Sequence, residues 1–252
     1  MNDIGVALIT FACTFGCALA ATYLRDRMSA EHLAKESQDV VRLGIGLVAT
    51  MTALLLGLVT AAAKGGFDAQ DAALKSSAAN ILTLDRQLAR YGAEAQPIRV
   101  LIKQTVAARA AELSRFSRDD SVLKSIPRVG APIEEIEDLI LALQPQTESQ
   151  RYFRAESLKL VQEVVRTRWR VLETGPTVQF PFVCAVIFWL TVTFSSFGLF
   201  APRNPTVIAV LFVASLSVAA AVFLVLQMDS PFSGVIRVSG DAFRFALDNL
   251  SR

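Results

Sequence analysis

Four stretches of the chain carry no charged side chain: Ile4 to Leu24, Leu43 to Ala63, Phe180 to Ala201 and Thr206 to Met228. A bilayer crossing needs about 20 predominantly apolar residues. The pattern therefore predicts four transmembrane helices, at 4–24, 43–63, 180–201 and 205–228. The last two are joined by Pro202-Arg203-Asn204-Pro205. Pro202 cannot donate to a continuing helix, Asn204 suits an N-cap, and Pro205 fits the first helical position, so the two spans form an antiparallel hairpin. Asp229 is the first charge after the last span, and Pro231 and Gly234 oppose further helix.

Between spans two and three the pattern changes to polar residues with apolar positions at helical spacing. Residues 64–179 hold 17 basic and 15 acidic side chains, too many for any further span. Leu74, Ala78, Ile81, Leu84, Leu88 and Tyr91 form one stripe, ended by Gly92 and Pro97. Ile98, Ile102, Val106 and Leu113 form a second. Pro132 with Glu134 and Glu135 opens a third helix, with Ile133, Ile136, Ile140 and Leu143 facing inward. Thr147-Glu-Ser-Gln150 has the spacing of a capping box and opens a fourth, expected to run to about Glu173 before Gly175-Pro176. The first stripe follows Gly65-Gly66 so closely that it reads as a continuation of span two, with a bend. The expected fold is all-α: four spans, a helical domain at 64–179 inserted between spans two and three, and a C-terminal tail at 229–252.

Two stripes run along span two. Leu43, Leu47, Met51, Leu54 and Leu58 are bulky; Gly46, Thr50, Ala53, Gly57 and Thr60 are small or weakly polar. A small stripe allows close helix contact in lipid, and either stripe can face a central pathway in an oligomer. In span four, Ser215 with Ala219 and Ser217 with Ala221 give further small-xxx-small spacings. Aromatic rings near both ends of span three suit the bilayer interface, and its Thr and Ser hydroxyls can bond to the helix's own carbonyls.

Composition agrees, with 53% hydrophobic and 19% charged residues. A net charge of +2 gives no pointer to nucleic acid. The competing reading of the first span, a secretory signal peptide, lacks a basic start, because the tip is Met1-Asn2-Asp3. Cys13 and Cys17 share a helix face and read as packing thiols rather than a disulfide or metal site. His32, the one histidine, has no ligand or nucleophile at a useful spacing, and no phosphate loop or metal-ligand motif is present. The spans lack the charge that proton coupling or intramembrane catalysis requires, so neither an enzyme nor a cofactor is expected. Arg166, Arg168 and Arg170 around Trp169 can rest on anionic headgroups. Basic residues in the short segments number five on one side (Arg25, Arg27, Lys35, Arg42, Arg203) and three on the other (Arg237, Arg244, Arg252), which leaves orientation open.

Leu54-Leu-Leu-Gly57, Lys64-Gly-Gly-Phe-Asp68, Leu84-Asp-Arg86, Arg90-Tyr-Gly92, Phe188-Trp-Leu190, Phe197-Gly-Leu-Phe200, Pro202-Arg-Asn204 and Pro231-Phe-Ser-Gly234 occur in this order. Together they resemble the bestrophin-like domain family of bacterial membrane proteins, which is distantly similar to bestrophins. That resemblance implies a pentameric, anion-selective channel in the bacterial inner membrane, with cytosolic termini, a cytosolic helical region and a pore lined by span two. Pro231, Phe232 and Gly234 are similar to the element that follows the last bestrophin span. The acidic cluster of calcium-gated members is replaced here by Val235-Ile-Arg-Val238, so calcium gating is not implied. Lys64 and Arg203 become candidate mouth cations. Asp85 and Arg86, in the matching Leu-Asp-Arg motif, do not face each other as helix neighbours and are expected to pair elsewhere as structure.

The leading expectation is thus a homo-oligomeric channel in the lipid bilayer passing inorganic anions. A non-conducting scaffold or sensor, whose helical domain binds partners, is the rival.

Overall fold

A computed structural model of the chain describes residues 3–25, 35–115, 131–173, 178–202, 204–230 and 235–250, with backbone alone at 35–37, 112–115 and 131–132. His32, Arg203, Pro231, Phe232 and Gly234 lie outside the described residues, as does the Leu113 side chain. The described chain is all-α: α1 (Asp3–Leu24), α2 (Lys35–Tyr91), α3 (Gln96–Arg115), α4 (Ala131–Ala142), α5 (Glu148–Glu173), α6 (Phe180–Phe200), α7 (Pro205–Asp229) and α8 (Asp241–Asn249). Four of these, α1, α2, α6 and α7, are long and apolar enough to cross a membrane. The chain divides into two compact units, one of residues 1–66 with 176–230 and one of 67–175 with 231–252.

In the first unit, α1 packs on both α6 and α7. Its contact face is Val6, Thr10, Thr14, Ala18 and Thr22, every fourth residue, all buried. Burying three hydroxyls is tolerable because each donates to a carbonyl of its own helix: Thr10 to Val6 (2.8 Å), Thr14 to Thr10 (2.8 Å) and Thr22 to Ala18 (2.9 Å). What remains facing α6 and α7 is a narrow row of methyl groups. At Ala18 the approach is closest: a Cβ placed on Gly198 of α6 would lie 2.0 Å from the Ala18 carbonyl oxygen. On α7 the matching buried row includes Leu211, Ser215, Ala219 and Val222, which realises one of its two small-xxx-small spacings; Ser217 is exposed.

Polar contacts fix both ends of this unit. Arg25 donates to the Ala201 carbonyl at the end of α6 (2.7 Å). At the other end the Gln227 amide donates to the Asp3 carboxylate (2.7 Å), and the Val178 N–H donates to Asp229 (2.9 Å). Thus α1 runs parallel to α6 and antiparallel to α7. Asn204 takes the expected N-cap position of α7 with Pro205 behind it, but its side chain makes no capping hydrogen bond.

Helix α2 is longer than the hydropathy of span two requires. It starts at Lys35, inside the stretch expected to be a connector, and stays helical through Gly65-Gly66 to Tyr91, 57 residues in all. That is about 85 Å at 1.5 Å per residue.

The second unit holds the end of α2 with α3, α4, α5 and α8 around one apolar core. The stripe Leu74, Ala78, Leu84, Leu88 and Tyr91 meets Ile98, Ile102 and Val106 of α3, Ile136 and Ile140 of α4, and Val161 of α5. The reversal from α2 to α3 falls on Gly92, whose φ of 132° is the one positive value among the described residues. Only glycine enters that conformation without strain. A single 3₁₀ turn, Ala93–Ala95, leads into α3. The capping box at the start of α5 is formed in both directions: the Gln150 N–H donates to Thr147 Oγ1 (3.2 Å), and the Thr147 N–H donates to Gln150 Oε1 (3.3 Å). Arg154 closes the end of α4 by donating to the Ile140 and Leu141 carbonyls (3.1 and 2.6 Å).

An element that the sequence pattern did not single out completes this core. Residues 241–249, expected within a tail, form α8, and Phe243, Ala246 and Leu250, with Val238 before them, are buried in the same cluster.

Candidate functional site: the exposed faces of α2

Within the first unit α2 is the span least covered by its own chain. Only 6% of its most apolar window is buried, against 22% for α1, 33% for α6 and 22% for α7. At about 100° per residue, the bulky and small stripes are centred about 100° apart, and a third face lies more than about 110° from either. The third face is the one that packs. Leu55 and Leu56 join the cluster around Ala18, Val186, Leu190, Phe194 and Leu211, while Val59 and Ala63 join that around Val6, Val183, Val222 and Val225. Thr52 is buried on the same face and donates to the Val48 carbonyl (2.7 Å). Sequence reasoning named the other two faces and missed this one. Its signal was available as Val48, Thr52, Leu55, Val59 and Ala63 at spacings of three and four.

All five bulky residues are exposed: Leu43, Leu47, Met51, Leu54 and Leu58 each keep at least 60% of their surface. The small face, Gly46, Thr50, Ala53, Gly57 and Thr60, is exposed too. A Cβ added at Gly46 or Gly57 would meet nothing within 4 Å, so neither glycine is required by packing inside the chain. Thr50 and Thr60 donate to the Leu47 and Leu56 carbonyls (2.7 Å each). Their hydroxyls are satisfied within the helix, and both faces present mainly carbon.

Lys64, at the end of the charge-free run, is exposed. In the second unit Asp85 is buried and accepts two hydrogen bonds from Arg99, Nε to Oδ1 (2.7 Å) and Nη2 to Oδ2 (3.0 Å), joining α2 to α3. The hydrogen bond to Asp85 raises the Arg99 pKa above its ordinary value, so the guanidinium stays charged at any working pH. Arg86, adjacent in sequence, is exposed. The motif therefore places its two charges in different surroundings, with the carboxylate acting as a clamp between helices. Among the described residues no three His, Cys, Asp or Glu side chains gather to hold a metal ion. Cys13 is half-buried, and Cys17 and Cys184 are exposed; all three are free thiols.

The model of the bestrophin-like domain matches residues 12–243. The chain belongs to the bestrophin-like family. The crystal structure of a membrane protein with a proline-to-alanine substitution is similar over 97% of both chains, with a TM-score of 0.67 and 13% identity. At that identity it shows a shared fold. No curated protein matches. Membership of the bestrophin-like family, together with four apolar helices, makes this a multi-pass membrane protein of a channel-like kind.

Proposed function

We propose that the bestrophin-like chain is one subunit of a ring of copies, a pentamer by family resemblance, that conducts inorganic anions along its axis. The observation that carries this reading is the exposure of two adjacent faces of α2, both charge-free and both left uncovered by the described residues. A subunit of a ring needs a face toward the axis and one toward each of its two neighbours, and α2 can supply the axial face and one lateral face. The small face suits close contact with a neighbouring subunit. The bulky face, Leu43 to Leu58, suits a narrow apolar neck that gates by dewetting, and Lys64 and Arg203 are the cations proposed at its mouths. By the same resemblance the helical unit at 64–179 is placed in the cytosol, with both termini on that side of the bacterial inner membrane.

Two measurements test the proposal together. The mass of the purified particle in detergent should correspond to a ring of at least four chains. Chloride-loaded vesicles carrying the protein should release halide, and Leu54→Ala should raise the flux severalfold. A monomer or dimer, or tight vesicles silent for wild type and Leu54→Ala alike, would sink the conduction reading. The non-conducting scaffold would then replace it.

A further inference from the structure

Between the last turns of α1 and the first turns of α7 lies an open groove of 670 Å³, a volume typical of small-ligand sites, which span about 300–1,000 Å³. Phe15 and Leu19 form one wall, and Ile208 and Phe212 the other. Ala209 also lines the groove and adds no bulk to it. The deep end is preformed, because Phe212 meets both Phe11 and Phe15 edge to face at 5.4 Å.

Polarity in the groove is graded. Tyr23 and Asn204 stand at the outer end, where α1 finishes and α7 begins; deeper in, the one polar side chain is Thr22, whose hydroxyl donates to the Ala18 carbonyl, and the rest is apolar. From Tyr23 to Phe15 is about 12 Å along the helix, close to half of a hydrocarbon core about 30 Å thick. The groove therefore spans one leaflet, from interface to midplane. A cation stands near the polar end. Arg25, two residues beyond Tyr23, is held at this corner by its bond to the Ala201 carbonyl, and no carboxylate among the described residues neutralises it. The N-terminus of α7 adds positive potential beside it.

We propose that this groove binds one acyl chain of an anionic phospholipid, whose phosphate is drawn to Arg25. The proposal rests on α1 and α7 crossing the membrane and is independent of whether the protein conducts.

The test places the full chain in nanodiscs of phosphatidylcholine containing a trace of phosphatidylglycerol or phosphatidylcholine with a photoactivatable acyl chain, and maps adducts by mass spectrometry. Labelling should concentrate on 15–23 and 204–213, and the phosphatidylglycerol probe should exceed the zwitterionic one by about five-fold, the preference one interfacial arginine confers. Ala209→Phe should remove groove adducts while leaving those elsewhere on the spans. Arg25→Gln should equalise the two probes without moving the adducts, and Arg25→Lys should restore the preference. If Ala209→Phe fails to fold, the arginine pair decides alone. Even labelling of all lipid-facing helices, equal labelling by the two probes in wild type, or cross-links from the groove to a second copy of the chain would each overturn the proposal.

Discussion

The two units bury their contacts by different means. In the membrane unit the closest packing is between backbone and small side chains: Thr10, Thr14, Ala18 and Thr22 on α1, Gly198 on α6, Ser215 and Ala219 on α7. In the second unit it is between branched aliphatic chains such as Leu88, Ile102, Val106 and Ile140. The difference is the one that lipid around the first unit and water around the second would produce. Lipid tails are as apolar as leucine, so burying leucine against leucine gains little in a bilayer, and close approach is what holds helices together. In water the removal of apolar area is itself the driving force, at about 25 cal/mol per Å².

The sharpest way to break this comparison is at Gly198. Gly198→Leu should cause the largest loss in the molecule, because the Ala18 backbone cannot move away without separating α1 from α6 along their length. Detergent-solubilised protein should lose its monodisperse elution peak. Recovery of a wild-type melting profile would show that the close approach is dispensable.

Next in size is the aliphatic core. Leu88 is fully buried, and Leu88→Ala should cost about 2–5 kcal/mol of unfolding free energy, read by thermal melting of the second unit's helical signal. A change under about 1 kcal/mol would mean that the site collapses around the missing atoms or that the core is loosely packed. Asp85→Ala should cost less, about 1–3 kcal/mol, since it strips Arg99 of its carboxylate partner but leaves the guanidinium its bond to Gln96 and access to water. The double variant Asp85→Ala with Arg99→Ala should recover part of that loss. Additive losses would show that the clamp between α2 and α3 contributes nothing as a pair.

In the membrane unit the analogous buried polar group should matter little. Thr14 is fully buried, yet its hydroxyl bonds to its own helix. Thr14→Val keeps the shape and the branched Cβ, so the unfolding free energy in detergent should change by about 1 kcal/mol or less. A large drop would show that these hydroxyls hold α1 to its neighbours rather than to itself.

Much of this architecture can be read from the residues alone, and the exceptions share a cause. Charge-free runs locate the spans, Gly92 and the Thr147–Gln150 pair locate two boundaries, and the Leu74 to Tyr91 stripe locates a core face. Each is a local signal, carried within a few turns of one helix. The Ala18–Gly198 contact and the Asp85–Arg99 clamp depend on which helices meet, which no single stretch encodes. Helix α8 was missed because nine residues give only Phe243, Ala246 and Leu250 as a pattern, in a segment whose helicity depends on the surface it covers. The same limit governs the candidate site. The spacing of all three faces of α2 was legible, but that the face of Thr52, Leu55, Val59 and Ala63 is the one that packs is decided by α1, α6 and α7. In the proposed ring, which exposed stripe faces the axis would be set by the neighbouring copies.

The smallest predicted effect sharpens the contrast from the other side. Tyr91 contributes its ring to the core of the second unit, but its hydroxyl is buried and finds no hydrogen-bond partner among the described residues. Unlike the threonines of α1, it cannot bond back to its own helix. Tyr91→Phe should therefore be neutral or stabilising by about 1 kcal/mol, since it removes an unpaired polar group and keeps the ring. Burial, reinforced by Glu94, raises the Tyr91 pKa above its ordinary value of 10.0. The fold thus favours the neutral phenol, a contribution fully present below pH 10 and lost as pH rises through the raised value. Melting scans from pH 8 to 11.5 should show wild type losing stability at the alkaline end more steeply than Tyr91→Phe. Parallel curves would mean that the ionised phenol reaches solvent in the folded protein, and that the buried end of α2 is open.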